Sequence, residues 1–254
     1  MKLEMAAEVA LGLKSASQMA RRITEQWGAN NLYCAACPAN VVEATPPNTK
    51  AVDFNCGLCG VGYQLKAGRG WSESRVPDAG YSAMIGAIRA DATPNLLVMQ
   101  YSQDWKVVNL LLIPSFFLTE SAIEMRRPLA STARRAGWVG CNILLRAIAD
   151  DGKLRLVQDS VRTPPESVRM EYQRIRELAL LAPEVRGWTL DVLRIVRGLN
   201  QRSFTLAEVY QSAFELAALH PHNRNVRAKI RQQLQVLRDM GFIRFDSRGC
   251  YTMG

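Results

Sequence analysis

The chain has 254 residues, of which 48% are hydrophobic and 22% charged. At about 150 residues per domain this allows one to two globular domains and excludes collagen-like, disordered and coiled-coil classes. Lys and Arg outnumber Asp and Glu by 32 to 23, a net charge of +9. That excess favours a polyanionic partner, nucleic acid before a membrane surface. No apolar run approaches the roughly 18 residues of a membrane span. The longest, Leu110 to Leu118, is broken by Pro114, and the start Met1-Lys2-Leu3-Glu4 lacks a secretory apolar core. No membrane partner is expected, and the cytoplasm is the expected location. The only histidines are His220 and His222, which excludes a histidine-based nuclease or metal centre upstream of them.

In chain order, a helix is expected over 3–27, with Met19, Ile23 and Trp27 at four-residue spacing. A polar loop over 30–50 follows, broken at Pro46-Pro47-Asn48. Strands are expected from Ala51 to Asn55 and from Gly62 to Ala67, then a helix from Ala79 to Ala90. Two apolar strands, Asn95 to Tyr101 and Lys106 to Ile113, flank the turn Ser102-Gln103-Asp104. Residues 119–142 read as irregular and basic, with the run Arg126-Arg127-Pro128 and the segment Arg134-Arg135-Ala136-Gly137-Trp138. A short strand at Leu154 to Val157 and a helix from Pro164 to Leu181, opened by proline, lead to a boundary at Pro183.

Residues 183–254 read as a separate unit. Helical patterns cover roughly 184–200, 205–219 and 223–240, and Thr205 with Glu208 has the spacing of a capping box. The last helix puts Val226, Ile230, Leu234 and Leu237 on one face and Arg224, Arg227, Arg231, Gln232, Gln235 and Arg238 on the other. Gly241 then precedes a strand, a turn and a strand. Three helices followed by a hairpin is the winged helix-turn-helix pattern. Residues 223–238 carry five basic residues and no acidic one, a bias that suits a DNA groove better than an ordinary solvated face. A winged helix that binds protein is the alternative.

Four cysteines form two knuckles, Cys34-Ala-Ala-Cys37 and Cys56-Gly-Leu-Cys59, separated by 18 residues. This is the spacing of a tetrahedral four-cysteine zinc site. A two-residue gap lets both thiolates of a knuckle face one ion, and a closed set of four thiolates is structural because it leaves no position for water. Cys141 and Cys250 have no comparable partners.

Between and beyond the knuckles lies a second constellation. Residues two apart on a strand share a face, so Gln64 and Lys66 point the same way, with Asp53 on the neighbouring strand. An Asp, then an acid or amide, then Lys two further on is the pattern of PD-(D/E)xK nucleases. Asp53, the Gln64 side-chain oxygen and the Leu65 carbonyl are suited to Mg²⁺, and Lys66 to orienting water and offsetting charge. A solvent-facing strand edge is the alternative for the same residues.

Taken together, the segments resemble the DpnI-like methyl-directed restriction endonucleases over essentially the full length. The resemblance is carried by Tyr33 to Cys37, Val52 to Cys59, Gln64-Leu-Lys66, Asp78-Ala-Gly-Tyr81, Pro128 to Asn142 and Arg231 to Asp239. It implies an α/β PD-(D/E)xK catalytic domain with a four-cysteine zinc site over 1–182. An α+β winged-helix DNA-binding domain over 183–254 is implied to follow. It also implies Mg²⁺-dependent, blunt cleavage of double-stranded DNA at GATC sites carrying N6-methyladenine. Asp53, Gln64 and Lys66 fall on catalytic positions, and Cys34, Cys37, Cys56 and Cys59 on zinc ligands. Gln64 departs from the expected Glu, which bears on rate and metal preference. An N6-methyl group adds an apolar feature to the major groove, and Trp138 beside Arg134 and Arg135 is the candidate surface for it, with a core tryptophan beside two phosphate-binding arginines as the alternative. Arg126, Arg224, Arg227, Arg231 and Gln232 are candidate DNA contacts. Monomer and oligomer both remain open. The alternatives are a non-enzymatic zinc-ribbon and winged-helix DNA-binding regulator and an unrelated housekeeping nuclease or junction resolvase, which shares the Gln-x-Lys pattern.

Overall fold

The computed structural model describes residues 1–46, 49–70 and 74–254, so Pro47 and Asn48 of the expected break lie outside it. The expected helix over 3–27 is two elements. A 3-10 turn at Ala7–Ala10 ends before Gly12, whose φ of 88° breaks the helical path, and helix α1 runs Ala16–Asn31. Helix α1 buries Ile23, Trp27 and Gly28. Gly28 meets the Phe54 ring so closely that an added Cβ would lie 2.4 Å from Cζ.

Strands β1 (Glu43–Ala44) and β2 (Phe54–Asn55) precede β3 (Gly62–Gly68). The strand expected from Ala51 is thus only its last two residues, because Ala51 has φ 60° and Gly60 turns the chain at φ 74°. Strand β4 (Val76–Gly80) runs directly into helix α2 (Tyr81–Arg89), which buries Met84, Ile85 and Ile88. Strands β5 (Asn95–Tyr101) and β6 (Val107–Ile113) follow the sequence reading, and are apolar because they lie at the centre of the sheet.

The segment expected to be irregular contains strands β7 (Ile123–Met125) and β8 (Gly140–Ile143). Strands β9 (Leu154–Gln158) and β10 (Val161–Arg162) and helix α3 (Pro165–Ile175) complete this half, α3 continuing as a 3-10 turn to Leu180.

The main sheet has the order β1-β2-β3-β5-β6-β9-β10, with β3 and β5 parallel and the other neighbours antiparallel. The β3-to-β5 crossover carries β4 and α2. A second sheet of order β4-β8-β7 stands apart from the first.

The C-terminal region comprises α4 (Pro183–Gly198), β11 (Ser203–Thr205), α5 (Leu206–Gln211), α6 (Ala213–Leu219), α7 (Val226–Asp239), β12 (Ile243–Ser247) and β13 (Cys250–Met253). The helix expected over 205–219 is broken at Ser212. Its start is the expected capping box between Thr205 and Glu208. β11, β13 and β12 form a three-stranded wing. Ile230, Leu234 and Leu237 of α7 are buried, while Arg227, Arg231, Gln232, Gln235 and Arg238 lie on its outer side; Arg224, expected on this helix, is exposed in the bend before it, because the helix begins only after Asn225.

Helix α4 is buried on both sides. Thr189 bonds Gln233 of α7 at 2.7 Å. On the other side the Arg186 guanidinium pairs with Asp91, Asp191 accepts from Ser121 at 2.7 Å, and Arg197 meets Asp151 through two hydrogen bonds of 2.8 Å. No helix among the described residues is long and apolar enough to cross a membrane.

Candidate active site and metal centre

Asp53 enters β2 with its main-chain N–H donating 2.8 Å to the Tyr63 carbonyl, and Phe54 lies opposite Tyr63. This register sets Asp53 beside Gln64 and Leu65. Asp53 Oδ2 accepts a 2.7 Å hydrogen bond from the Leu65 N–H. Asp53, Gln64, Leu65 and Lys66 all line one cleft of about 650 Å³. The sequence triad is therefore brought together.

The opposite wall comes from α1. Ser17, Ala20, Arg21, Thr24 and Glu25 line the same cleft, and Arg21 Nε donates to Glu25 at 2.6 Å. The Arg21 guanidinium is held in its charged form first by Glu25 and, at longer range, by Asp53. Sequence reasoning missed Glu25. An Arg and a Glu four apart look like any exposed helix pair, and only the packing of α1 against β3 brings them to the cleft.

Lys66 forms an ion pair with Asp78 of β4, whose side chain is 1% exposed. In the sequence Asp78 stands out only as part of a family segment. Nothing there pairs it with Lys66, because the two strands belong to different sheets.

The cysteine knuckles abut the same strand. The four Sγ atoms of Cys34, Cys37, Cys56 and Cys59 lie within 4.8 Å of one another, with Cys34–Cys59 at 3.6 Å and Cys37–Cys56 at 3.5 Å. None is disulfide-bonded. Tetrahedral Zn–S bonds of about 2.3 Å place sulfurs about 3.8 Å apart, so the donor set fits structural zinc. Burial pushes the Cys56 thiol up, but hydrogen bonds from the main chain of Cys59 and Leu58 outweigh it and bring it down to about 7. A thiol in that range loses its proton readily to a soft metal. Burial holds the Cys34 thiol up, and its sulfur lies 3.1 Å from the Tyr63 hydroxyl, which ties the knuckle to β3. Helix α3 clasps the first knuckle. Arg169 donates to the carbonyls of Cys34 (3.1 Å) and Ala39 (2.9 Å), and Gln173 to that of Ala36 (3.0 Å).

The basic segment at 126–139 is a loop joining β7 to β8, and Arg126, Arg134 and Arg135 are exposed on it. Trp138 is half-buried, with the Arg135 guanidinium 4.7 Å over its ring. In the C-terminal region the outer face of α7 is partly held by Tyr210 of α5. Arg231 Nη1 donates to the Tyr210 hydroxyl at 2.7 Å, and Arg227 lies 5.2 Å over the ring. A larger cavity of about 920 Å³ lies where α4 meets the N-terminal half. Its Arg89 and Glu120 are engaged with each other at 2.7 and 2.8 Å.

The model of the DpnI family, described as the Dam-replacing family, matches residues 1–180. The Dam-replacing HTH domain of the same family matches residues 184–253. The chain belongs to the Dam-replacing, DpnI-like family. That class is the methylation-dependent restriction endonucleases, hydrolases that act on DNA and carry a DNA-binding helix-turn-helix domain.

Proposed function

We propose that the protein hydrolyses double-stranded DNA at GATC sites carrying N6-methyladenine, with Mg²⁺, leaving blunt ends. Family membership supports the class of reaction. The observation that carries the chemistry is the convergence of Asp53, Gln64 and Lys66 in one cleft.

Asp53, the Gln64 side-chain oxygen and the Leu65 carbonyl would hold the metal, an all-oxygen set of the kind Mg²⁺ prefers. When bound, Mg²⁺ polarises the scissile phosphate and favours deprotonation of water. The 2.7 Å bond from Leu65 N–H fixes the Asp53 carboxylate against β3 before any ligand arrives. Lys66 orients the attacking water and offsets charge developing on the phosphate. Gln64 brings no charge, and Glu25, which lines the same cleft and is held by Arg21, is a further carboxylate there. The cysteine cluster serves as a structural zinc site that holds the Asp53-to-Gln64 hairpin in register through Tyr63.

We divide the chain at Pro183 into a catalytic domain, 1–182, and a winged helix, 183–254. Residues 183–254 carry 11 basic and 6 acidic residues, and the 11 − 6 = +5 excess is densest on α7. Arg227, Arg231 and Gln232 present phosphate and base contacts there, with Arg224 in the bend just before the helix, and Arg126, Arg134 and Arg135 provide a second set on the catalytic domain. Trp138 offers an apolar surface for the N6-methyl group, which pairing with thymine leaves in the major groove.

The test is a duplex oligonucleotide with one GATC site, unmodified or N6-methylated on both strands, incubated with the protein and Mg²⁺. The expected result is cleavage of the methylated duplex alone, with sequenced ends that are flush. A methylation-insensitive gel shift without cleavage under any divalent metal would instead favour a zinc-ribbon and winged-helix regulator.

A further inference from the structure

Strand β4 touches both Lys66 and Trp138. At one point along it, Asp78 forms the ion pair with Lys66 that bridges the two sheets. The Asp78 carboxylate is buried, and its Oδ1 has no hydrogen bond of ordinary geometry among the described residues. Lys66 is the cation paired with this oxygen. A buried carboxylate of this kind holds its partner strongly, because separation leaves an uncompensated charge out of water.

Two residues on, Gly80 lies opposite Gly140 in the β4–β8 ladder, and the register shifts once between Asp78 and Gly80. Bulges of this sort re-aim side chains beside active sites. The glycine pair forms a bare patch of sheet on which the Trp138 indole rests. A Cβ added at Gly140 would lie 2.8 Å from the ring edge, and one at Gly80 would lie 3.5 Å from the indole nitrogen. Gly140 therefore fixes where the ring sits, and Arg135 covers the ring. The loop that carries Trp138 is closed by main-chain bonds Leu129 to Trp138 (2.9 Å) and Tyr81 to Val139 (3.0 Å), the latter from the residue that follows β4.

We propose that β4 couples the seating of Trp138 to the placement of Lys66, with Asp78 positioning the lysine and Gly140 positioning the tryptophan. This rests on the reading of Lys66 as catalytic and Trp138 as the methyl-contacting surface. A base methyl that presses on the indole presses on the strand that holds the lysine, so methylation is felt in the rate as well as in binding.

The experiment is a double-mutant cycle on the full-length protein, read as single-turnover cleavage of the methylated duplex at saturating enzyme. Affinity is measured separately by gel shift without Mg²⁺. Asp78→Asn keeps the shape and removes the charge, and should slow cleavage about a hundredfold, the scale of a slightly misplaced catalytic group, while affinity changes by no more than about twofold. Asp78→Glu should recover part of the rate. Gly140→Ala should slow cleavage of the methylated duplex roughly tenfold. If β4 couples the two, the double variant is slowed no more than Asp78→Asn alone. Multiplying effects in a folded double variant, shown by circular dichroism and intact DNA affinity, overturn the coupling. Lys66→Ala separates the levels. If it cuts normally, the catalytic reading has failed; if it is inactive while Asp78→Asn cuts at the wild-type rate, only this inference has failed.

Discussion

Asp53 Oδ2 accepts a 2.7 Å hydrogen bond from the main-chain N–H of Leu65. One carboxylate oxygen is thereby committed to the strand that carries Gln64 and Lys66. The bond joins the cysteine hairpin to the cleft, and it makes the placement of Asp53 against Gln64 and Lys66 a property of backbone register.

Replacing Lys66 with Ala should lower cleavage by at least about 10³-fold, the scale of losing a group that stabilises transition-state charge. DNA affinity should remain near wild type. Asp53→Ala should be equally inactive and should also lose metal-dependent changes in the gel shift. A Lys66→Ala protein that cuts at the normal rate would remove the lysine from the mechanism.

Replacing Gln64 with Glu tests the part of residue 64 in the proposed metal site. Gln64→Glu adds a negative charge beside Asp53, so the Mg²⁺ concentration for half-maximal rate should fall several-fold. A metal titration of the initial rate measures this, and an unchanged midpoint would place residue 64 outside the metal shell.

One zinc per chain is expected by elemental analysis, and none in Cys56→Ser. Removing it with a strong chelator should cost much of the folding energy of the N-terminal half, as in other small structural zinc sites, and should abolish cleavage because Tyr63 and β3 lose their anchor. Thermal unfolding with and without chelator measures this. An unchanged fold after complete metal loss would contradict the zinc assignment.

On α7, Arg227→Ala and Arg231→Ala should each weaken DNA binding and reduce the slope of log affinity against log salt by about 1. Gln232→Ala should leave the slope unchanged. Salt-dependent gel shifts distinguish the two behaviours.

At the junction, Asp151→Ala leaves Arg197 without its two 2.8 Å bonds and Arg174 without a 3.5 Å partner. The cost should be about 3 kcal/mol, the low end for a buried pair because both arginines keep some water. Denaturant titration reads it directly.

What the sequence makes legible follows from local physics. β5 and β6 are readable because two apolar runs flank a polar turn, and a central sheet buries both strand faces. The cysteine cluster is readable because metal geometry dictates ligand spacing. The buried face of α7 is readable from its period. The β4-β8-β7 sheet is not, since Val76-Pro77-Asp78-Ala79-Gly80 is rich in residues that strands avoid. Its reason lies in long-range contacts: Asp78 meets Lys66, and Gly80 with Gly140 bears Trp138. Glu25 is hidden in the same way. Gly12 and Ser212 end helices that periodicity alone would continue.

The most direct test uses two preparations of one plasmid, alike except that one carries N6-methyladenine at its GATC sites, each incubated with the protein and Mg²⁺. Fragmentation of the methylated plasmid into a GATC ladder, with its partner intact, is the predicted result. Equal cutting of both, or of neither, would contradict methyl-directed cleavage.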